Sequence, residues 1–598
     1  MIRETFETFE KLLDKHGDKI IYQNKVLGKG TYVIVSSDKK SYEVFDVDEK
    51  QDFFNIDVET RMKLIKMNYF SCLVDMNKPV DFKKTIHSNN YMSFFLKKNH
   101  VISEEDNSKR DIKKQSKEHQ LVLNCVDRYF DTIESIVPSE NSTKKADLEL
   151  LGMYESLGEP LKPIDKKVLE ENKKWIKDNI LLLKEDNNYR DDDNYLKIFF
   201  EDTEERYLNE FNRYFIPKVF NSNAYNTFID EILHGLPNDN MQLNQNKPSL
   251  KCLTRKNVCP VLLPLKDALL QYKYFNYLMT FIESGERVVY VDEEGFYSYN
   301  DIKSRMNTFN GYVIKLSKGT SLDVSGFDIV AGYNPKKLKR KFNFQNVLDV
   351  NCDESSKQYY EVKTSLFEIH DLVDKIIFDG KLKTNYFNDD IKLKNKIVEK
   401  ALKSTKEKMF NWFYLGKEKE GHMLLRKYIP EIIKQSIIEG YKNKSRHQFN
   451  LFYSLILHYE YEGSRSMEQI KDIREAIIAK LYLNCENGEA QYLDSDEQYY
   501  FAVGQVIKYL LSLKNTNKIS QADINIMLNC KNDTQLKREI EKLYKKYNHS
   551  KYANSKKFRA LYAMVLAYNP NSRKVNTTNL LAGYLGLTIL KNNEKKDA

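Results

Sequence analysis

Two adjacent residues of the sequence, His370 and Asp371, have the types that metal-dependent phosphohydrolases use. In such enzymes the pair binds a metal ion together with further His and Asp ligands from other helices, and the metal activates water. The histidines that follow, His422, His447 and His458, show no matching arrangement. The sequence therefore favours a helix-surface pair without a metal, and an HD-type phosphohydrolase or nuclease remains the alternative function.

Two other stretches have residue types that could hold an ion. "RDDDN" (Arg190–Asn194) has three adjacent carboxylates, but consecutive side chains point apart, so a solvated turn is favoured over a magnesium site. "GKGT" (Gly28–Thr31) lacks the spacing of a phosphate-binding loop and precedes a strand pattern, which indicates a turn. The sequence has no GxSxG, HExxH or kinase motif set. We expect no catalytic residue, no metal and no cofactor.

The seven cysteines have no repeated spacing and form no CxxC motif, which predicts reduced thiols in a cytoplasmic protein without a structural zinc ion. The closest two are Cys252 and Cys259. Charges interrupt every apolar run at the N-terminus, so we predict no signal peptide, and no stretch is long and apolar enough to predict a membrane span.

One basic cluster lies between Asn334 and Asn346 and is followed by Phe342 and Phe344. Its cations are Lys336, Lys337, Lys339, Arg340 and Lys341. A basic loop beside aromatic residues suits backbone phosphates and an unstacked base. An ordinary solvated loop explains the same residues equally well. A second cluster, Tyr441–Asn450, is interpreted as a solvated connection between helices.

The other basic clusters lie on two amphipathic helices near the C-terminus. Leu536, Ile540, Leu543 and Tyr547 recur at helical spacing, and the cations Arg538, Lys542 and Lys545 are on the opposite face. The stretch "KKFRALYAMVLAY" repeats this pattern: its apolar residues are Phe558, Leu561 and Val565, and its cations are Lys556, Lys557 and Arg559. We predict that these cations bind nucleic acid.

The placement of charge supports an anionic partner for the C-terminal end. The formal net charge of the chain is +9, whereas Gln498–Ala598 alone has 18 Lys and Arg against 6 Asp and Glu. The rest of the chain is therefore slightly acidic, and the positive excess belongs to its last hundred residues. A basic region on a near-neutral body is typical of proteins that bind nucleic acid or another anionic surface.

Periodicity predicts an α+β protein that ends in an all-α bundle. Alternating patterns predict hairpins in "TYVIVSSDKKSYEVFDV" and around Glu293–Gly295, and helical periodicity dominates from about Ser365 onward. Four regions are predicted: a mixed α+β domain (1–235), a central α+β region (252–360), a helical region (365–484) and a basic helical bundle (498–598).

Three blocks of the C-terminal region, "YYFAVGQ", "LKREIEKLYKKYN" and "KVNTTNLLAGYLG", follow one another at a recognisable spacing. In this order they resemble the C-terminal region of the large subunit of type I-B CRISPR effector complexes, called Cascade. The resemblance covers about the last hundred residues, and the remainder of the chain matches that family only in length and general layout.

The resemblance implies a non-catalytic large subunit that helps to recognise the short motif (PAM) flanking the target. The partners it implies are CRISPR RNA, target double-stranded DNA and its displaced single strand, the backbone and small subunits, and a separate helicase-nuclease. In such systems base pairing reads the sequence, so the protein needs mainly a grip on the backbone. Many members carry a cysteine-rich zinc-binding insertion, of which only Cys252 and Cys259 could be a remnant.

Some members of that family also make a separate small subunit from a start codon inside the large-subunit gene. Met467 is a candidate for such a start, because Glu462-Gly463 can be encoded by a purine-rich ribosome-binding sequence upstream of it. The product would contain the whole basic bundle. An ordinary methionine at this position is the competing interpretation.

Overall fold

A computed structural model describes most of the chain, which divides into two compact units. The first unit comprises Met1–Asn300 and Gly311–Ile329, and the second comprises Asp301–Asn310 and Val330–Ala598. The described residues are 3–74, 78–101, 124–137, 150–154, 161–220, 226–237, 262–305, 307–318, 322–349, 351, 354–388, 390–459, 469–513, 521–547, 555–572 and 574–590.

The first unit mixes helices with short strands. Its helices include α1 (Arg3–His16), α2 (Lys19–Tyr22), α3 (Lys50–Asn55), α4 (Val58–Ser71), α5 (Lys166–Asn179), α6 (Glu204–Phe215) and α7 (Leu265–Glu283). Its strands are β1 (Gly30–Val35), β2 (Tyr42–Val47), β3 (Ser93–Lys97), β4 (Tyr195–Phe200), β5 (Thr227–Ile229), β6 (Ile232–Gly235), β7 (Leu263–Pro264), β8 (Val288–Val291) and β9 (Phe296–Ser298).

A four-stranded sheet of order β2-β1-β4-β3 lies in the core of this unit. Strand β1 pairs in parallel with β4, opposite residues being Gly30 and Tyr195 at one end and Val35 and Phe200 at the other, and β2 and β3 pair antiparallel on the outside. Every residue of β1 is buried, as expected for a central strand rich in β-branched residues. The predicted β1–β2 hairpin is confirmed.

The second sheet has the order β11-β10-β8-β9, where β10 is Phe309–Lys318 and β11 is Leu322–Tyr333. The predicted hairpin around Glu293–Gly295 is confirmed, since β8 and β9 pair antiparallel with Val291 opposite Phe296. A third, three-stranded sheet has the order β5-β6-β7.

The second unit is almost entirely helical. Helix α8 (Tyr299–Ser304), most of which belongs to this unit, connects β9 to β10 along the chain. The other helices are α9 (Glu354–Lys357), α10 (Leu366–Leu372), α11 (Leu382–Asn385), α12 (Lys396–Leu415), α13 (Glu418–Ile438), α14 (Lys442–Tyr459), α15 (Ile470–Asn487), α16 (Asp496–Ser512), α17 (Gln521–Leu528), α18 (Asp533–Tyr547), α19 (Lys556–Ala567) and α20 (Thr577–Leu585).

The α+β fold class predicted from periodicity is confirmed. The finer division into four regions stays a prediction. Within the described ranges, none of the helices is long and apolar enough to cross a membrane. Cys252, Cys259 and the candidate start Met467 lie outside the described residues.

Candidate nucleic-acid interface

Helix α16 is the central element of the C-terminal bundle. All of its residues from Gln498 to Ile507 are buried, which is the pattern of a helix covered on every side. Gly504 and Gly583 let α16 and α20 approach closely, because a Cβ atom on either glycine would overlap with backbone atoms of the other helix. Two of the blocks that carry the sequence resemblance therefore form this helix crossing.

Polar side chains from two other helices bind the C-terminal end of α20. The buried Gln505 side chain donates to the carbonyl oxygens of Gly583 (2.6 Å) and Leu587 (3.0 Å), and it accepts from the Ile589 backbone N–H (3.1 Å). Arg446 on α14 donates to the carbonyl of Leu585 at 3.0 Å. Cationic groups stabilise helix C-termini by satisfying carbonyls that lack an intrahelical partner. Arg446, assigned from the sequence to a solvated connection, is a structural residue.

A second polar network joins α16, α18 and the segment after α19. Asp496 accepts hydrogen bonds from the Tyr568 hydroxyl and from the backbone N–H groups of Asn571 and Ser572, each at 3.0 Å. The Tyr499 hydroxyl donates to Asp533, which also pairs with Lys537 at 3.4 Å. Burial and this carboxylate raise the pKa of Tyr499 well above its usual range. These contacts fix the ends of the bundle's helices.

Helix α18 has the two faces predicted from its periodicity. Its apolar residues at positions 536, 540, 543 and 547 are buried, and Arg538, Lys542 and Lys545 are exposed. Lys542 forms an ion pair with Glu539 at 2.7 Å. In the described part of the chain, no carboxylate pairs with Arg538 or Lys545. Both side chains are therefore available to bind an anionic ligand.

Helix α19 presents its cations in a similar way. Phe558, Leu561 and Val565 are buried as predicted, Lys556 and Arg559 are exposed, and Lys557 is half-buried. The Ser555 side chain caps the helix by accepting from the Phe558 backbone N–H at 3.2 Å. Because α18 and α19 belong to one bundle, the structure brings the two predicted basic helices together.

Between these basic helices lies an aromatic stack that the sequence reasoning missed. Tyr544 of α18 stacks on Tyr562 of α19 at 4.7 Å between ring centroids, and Tyr509 of α16 stacks on Phe558 at 4.9 Å. Phe558 is buried, whereas the three tyrosines are half-buried. Burial and the nearby Glu541 raise the pKa of Tyr562 to about 12, so its hydroxyl stays protonated. The stack could have been predicted from the sequence, because each helix has a tyrosine next to one of its buried positions.

The cluster at 336–341 combines anchored and exposed cations. Lys336 donates to the Ser304 carbonyl at 3.2 Å, and Arg340 donates to the His458 carbonyl. Lys337, Lys339 and Lys341 are exposed. For the residues that the structure describes, no hydrogen bond, ion pair or ring contact joins this cluster to α18 or α19. It is thus a separate candidate contact with nucleic acid.

The proposed role of the aromatic residues beside this cluster is wrong. Phe342 and Phe344 are 0% and 1% exposed, so neither can stack on an unpaired base. Phe344 instead packs on Tyr360 at 4.5 Å, and Phe342 packs edge-on against His458. Their alternation with exposed residues places both in the core of the second unit.

The side chains of His370 and Asp371 point in different directions. The His370 ring is buried, stacks on Phe413 at 4.2 Å and shares a 2.9 Å hydrogen bond with the Tyr386 hydroxyl. Asp371 is exposed and pairs with Lys383. Burial, with the charges of Lys383 and Lys303, lowers the pKa of His370 well below its usual range. This arrangement matches a neutral core histidine and a surface ion pair.

The two other stretches with candidate ion ligands have structural roles. Asp192 of "RDDDN" pairs at 3.0 Å with Lys98, whose side chain is fully buried. Gly30 of "GKGT" begins β1, and a Cβ atom there would lie 2.7 Å from the Tyr195 carbonyl oxygen of β4. No group of three or more His, Cys, Asp or Glu side chains suited to a metal ion occurs among the residues described.

Comparisons with known proteins identify no relative. No protein-family model, curated protein or solved structure matches the chain at a significant level.

Proposed function

We propose that the chain is a non-catalytic large subunit of a CRISPR RNA-guided DNA surveillance complex. The observation that carries the proposal is the surface of the C-terminal bundle formed by α18 and α19. Arg538 and Lys545 are exposed on α18, Lys556 and Arg559 are exposed on α19, and half-buried Tyr544 and Tyr562 stack between these two helices. We call this surface the basic–aromatic face.

The basic–aromatic face has the chemistry of a single-strand binding surface. Lys and Arg side chains neutralise backbone phosphates, which releases counterions and needs no particular base sequence. Tyrosine rings provide planes on which bases stack, with contacts that every base can make. A subunit that holds an unpaired strand while a guide RNA reads the sequence requires this combination.

The remaining parts of the proposed role come from the resemblance of the last hundred residues. The bundle would contact the displaced strand, and the exposed lysines at positions 337, 339 and 341 would contact guide RNA or target DNA. The same resemblance supports roles in recognising the target-flanking motif and in recruiting a separate helicase-nuclease. Product chains starting at Met467 would supply a small subunit with the same bundle.

Co-purification tests the assembly. The chain would be expressed with its neighbouring genes and isolated by a tag, and the bound RNA would be sequenced. We expect a single discrete RNA species with a repeat-derived 5′ end and, on peptide mapping, a fragment starting at Met467. Isolation of the chain alone and free of RNA would overturn the proposed function.

Charge reversal tests the surface itself. The triple variant R538E/K545E/R559E should lose most of its affinity for single-stranded DNA, because each contact with a phosphate is replaced by repulsion. The matched control is K11E/K394E/K400E, which also reverses three exposed lysines, one on α1 and two beside and on α12. Equal loss of affinity in both proteins would show that binding follows overall charge and not the basic–aromatic face.

Asp371→Ala separates this proposal from the phosphohydrolase alternative. Asp371 is exposed and its substitution leaves the core intact, whereas His370→Ala would open a cavity beside Phe413. A metal-dependent hydrolytic activity that disappears in D371A would establish the alternative. Unchanged RNA-guided DNA binding in D371A is the expected result.

A further inference from the structure

A cavity of about 530 Å³ lies in the first unit between α3, α4 and α7, far along the sequence from the basic–aromatic face. Its volume is in the range of roughly 300–1,000 Å³ that is typical of small-ligand sites. Its lining includes Lys25, Lys50 and Arg61 together with Phe53 and Phe54. The C-terminal turns of α7 contribute further lining residues, including Phe281 and Glu283.

In the part of the chain that the structure describes, no ion pair neutralises these cations. Lys25 lies over the Tyr69 ring, and Arg61 lies over the rings of Phe53 and Phe54 and donates to the Phe54 carbonyl at 3.4 Å. Within the described ranges, no carboxylate is in ion-pair distance of Lys25, Lys50 or Arg61. Three cations therefore face one cavity with Glu283 as its single carboxylate among the lining residues.

A second cavity of similar volume provides a contrast. It lies at the carboxyl ends of β1 and β4, and its charges are already paired. Lys39 pairs with Glu171 at 2.5 Å, and Arg206 pairs with Asp202 at 2.7 Å. The cations of that cavity are already paired with carboxylates, whereas the cations of the cavity beside α3 are available to bind an anionic ligand.

The exposed aromatic ring on the cavity wall indicates what kind of anion fits. Phe54 is 52% exposed, so part of its ring is accessible even though Arg61 lies over it. Glu283 also lines the cavity, and its carboxylate oxygen Oε2 is buried with no hydrogen-bond partner among the residues that the structure describes. A buried acceptor without a donor is costly, so it favours a ligand that supplies an N–H group. The cavity thus joins a cationic wall, a stacking plane and a hydrogen-bond acceptor.

We propose that this cavity binds a nucleotide. The base stacks on Phe54, and the phosphate lies toward Lys25, Lys50 and Arg61. Glu283 accepts from the base edge, where guanine offers two adjacent N–H donors to one carboxylate. The C-terminal end of α7, which lines the cavity, is the negative end of the helix dipole. It disfavours a phosphate nearby and favours the N–H donors of a base. The proposal stands on the lining of the cavity and does not rest on the proposed function.

The ligand could be a free nucleotide or one unstacked nucleotide within a strand. Equilibrium titrations of the full chain would use GMP, UMP, inorganic phosphate and the tetranucleotides UUGU and UUUU. We expect GMP to bind more tightly than UMP, and both to bind more tightly than phosphate. Tighter binding of UUGU than of GMP would identify a strand as the source, and the reverse order would identify a free nucleotide.

Three variants test the assignments within the cavity. Phe54→Ala should weaken GMP binding about 10-fold through lost stacking, and Lys50→Ala should weaken it while reducing its salt dependence. Glu283→Gln should bring the GMP and UMP affinities close together. The matched control is Phe82→Ala, since Phe82 is 65% exposed and lies beside Lys83 and Arg128 in the same unit.

Three results would overturn the nucleotide proposal: no binding at millimolar GMP, equal affinity for GMP and phosphate, or equal affinity in F54A, K50A and wild type. The variant R538E/K545E/R559E should bind GMP as the wild type does. Loss of strand binding in that variant with intact GMP binding separates this cavity from the basic–aromatic face.

Discussion

Gly504 of α16 and Gly583 of α20 face each other at a helix crossing where neither position has room for a Cβ atom. A Cβ on Gly504 would overlap with the Leu580 carbonyl oxygen, and one on Gly583 would overlap with the Phe501 carbonyl oxygen. Both neighbours are backbone atoms, which cannot move away as a side chain could. The two helices can therefore approach this closely only because each glycine has a hydrogen atom where any other residue has a Cβ atom.

Gly583→Ala should destabilise the second unit. Alanine is intrinsically better than glycine in a helix by about 0.5–1 kcal/mol, but forcing extra volume into a packed contact costs about 1–3 kcal/mol or more. Because the overlap is with backbone, we expect the packing cost to win and the urea midpoint of the helical signal to fall. Gly28→Ala is the control, since nothing lies within 4 Å of a Cβ there. An unchanged midpoint in G583A would contradict the crossing.

Gln505→Ala should destabilise the C-terminal end of α20 by removing its hydrogen bonds to α16. The substitution leaves the Gly583 and Leu587 carbonyls and the Ile589 N–H without the partner that they have in the native protein. A buried polar group without a partner costs about 1–3 kcal/mol. Hydrogen exchange should accelerate around Ile589, and global stability should fall. Gln51→Ala, at an exposed position, should change neither measurement.

Replacing the two stacked tyrosines should weaken single-strand binding without loss of charge. Y544L/Y562L removes the ring planes of the basic–aromatic face and keeps its cations. Base–aromatic stacking contributes about 1–3 kcal/mol per base, so we expect an affinity loss of about 10-fold with the same salt dependence. Tyr482→Leu is the control, because Tyr482 is 63% exposed on α15, outside this face. A changed salt slope with unchanged affinity would argue against stacking.

Acidification should destabilise the second unit through two histidines. Burial lowers the pKa of His370 well below its usual value, and burial with the charge of Arg340 lowers that of His458 to about 4. Below pH 6.5 the unfolded chain takes up protons that the folded chain does not, so the free energy of unfolding should fall as pH drops from 6.5 to 4. Above pH 6.5 neither group contributes.

Urea unfolding at pH 7.5, 6.5 and 5.5 measures this dependence. The variant His458→Gln should show a smaller loss of stability between pH 6.5 and 5.5 than the wild type. Exposed His16→Gln is the control and should behave as the wild type does. An identical slope in H458Q and wild type would show that His458 titrates normally in the folded protein.

Periodicity was sufficient to predict the faces of α18 and α19. The buried residues Leu536, Ile540 and Leu543 recur at helical spacing, so the local sequence alone predicted which face of α18 is buried. The same reasoning failed for Phe342 and Phe344. Their alternation allowed either face to point inward, and only the packing of Tyr360 and His458 decides which one does.

Contacts between distant parts of the chain were not predictable. Arg446 and Gln505 lie far before the carbonyl groups of α20 that they bind, and nothing in their local sequence indicates a helix end as partner. The cavity beside α3 could not be predicted for the same reason, because Phe54 and Glu283 are far apart in the sequence. Such sites depend on chain topology, which a single sequence leaves open.

The helix crossing also bears on how the chain folds during synthesis. Helix α16 is complete at Ser512, but α20, which covers its glycine face, begins only at Thr577. A ribosome must therefore synthesise α17, α18 and α19 while one apolar side of α16 has no cover. Until Leu585 has left the exit tunnel, the nascent bundle is a target for chaperones and proteases, and a stop codon before Thr577 would make that exposure permanent.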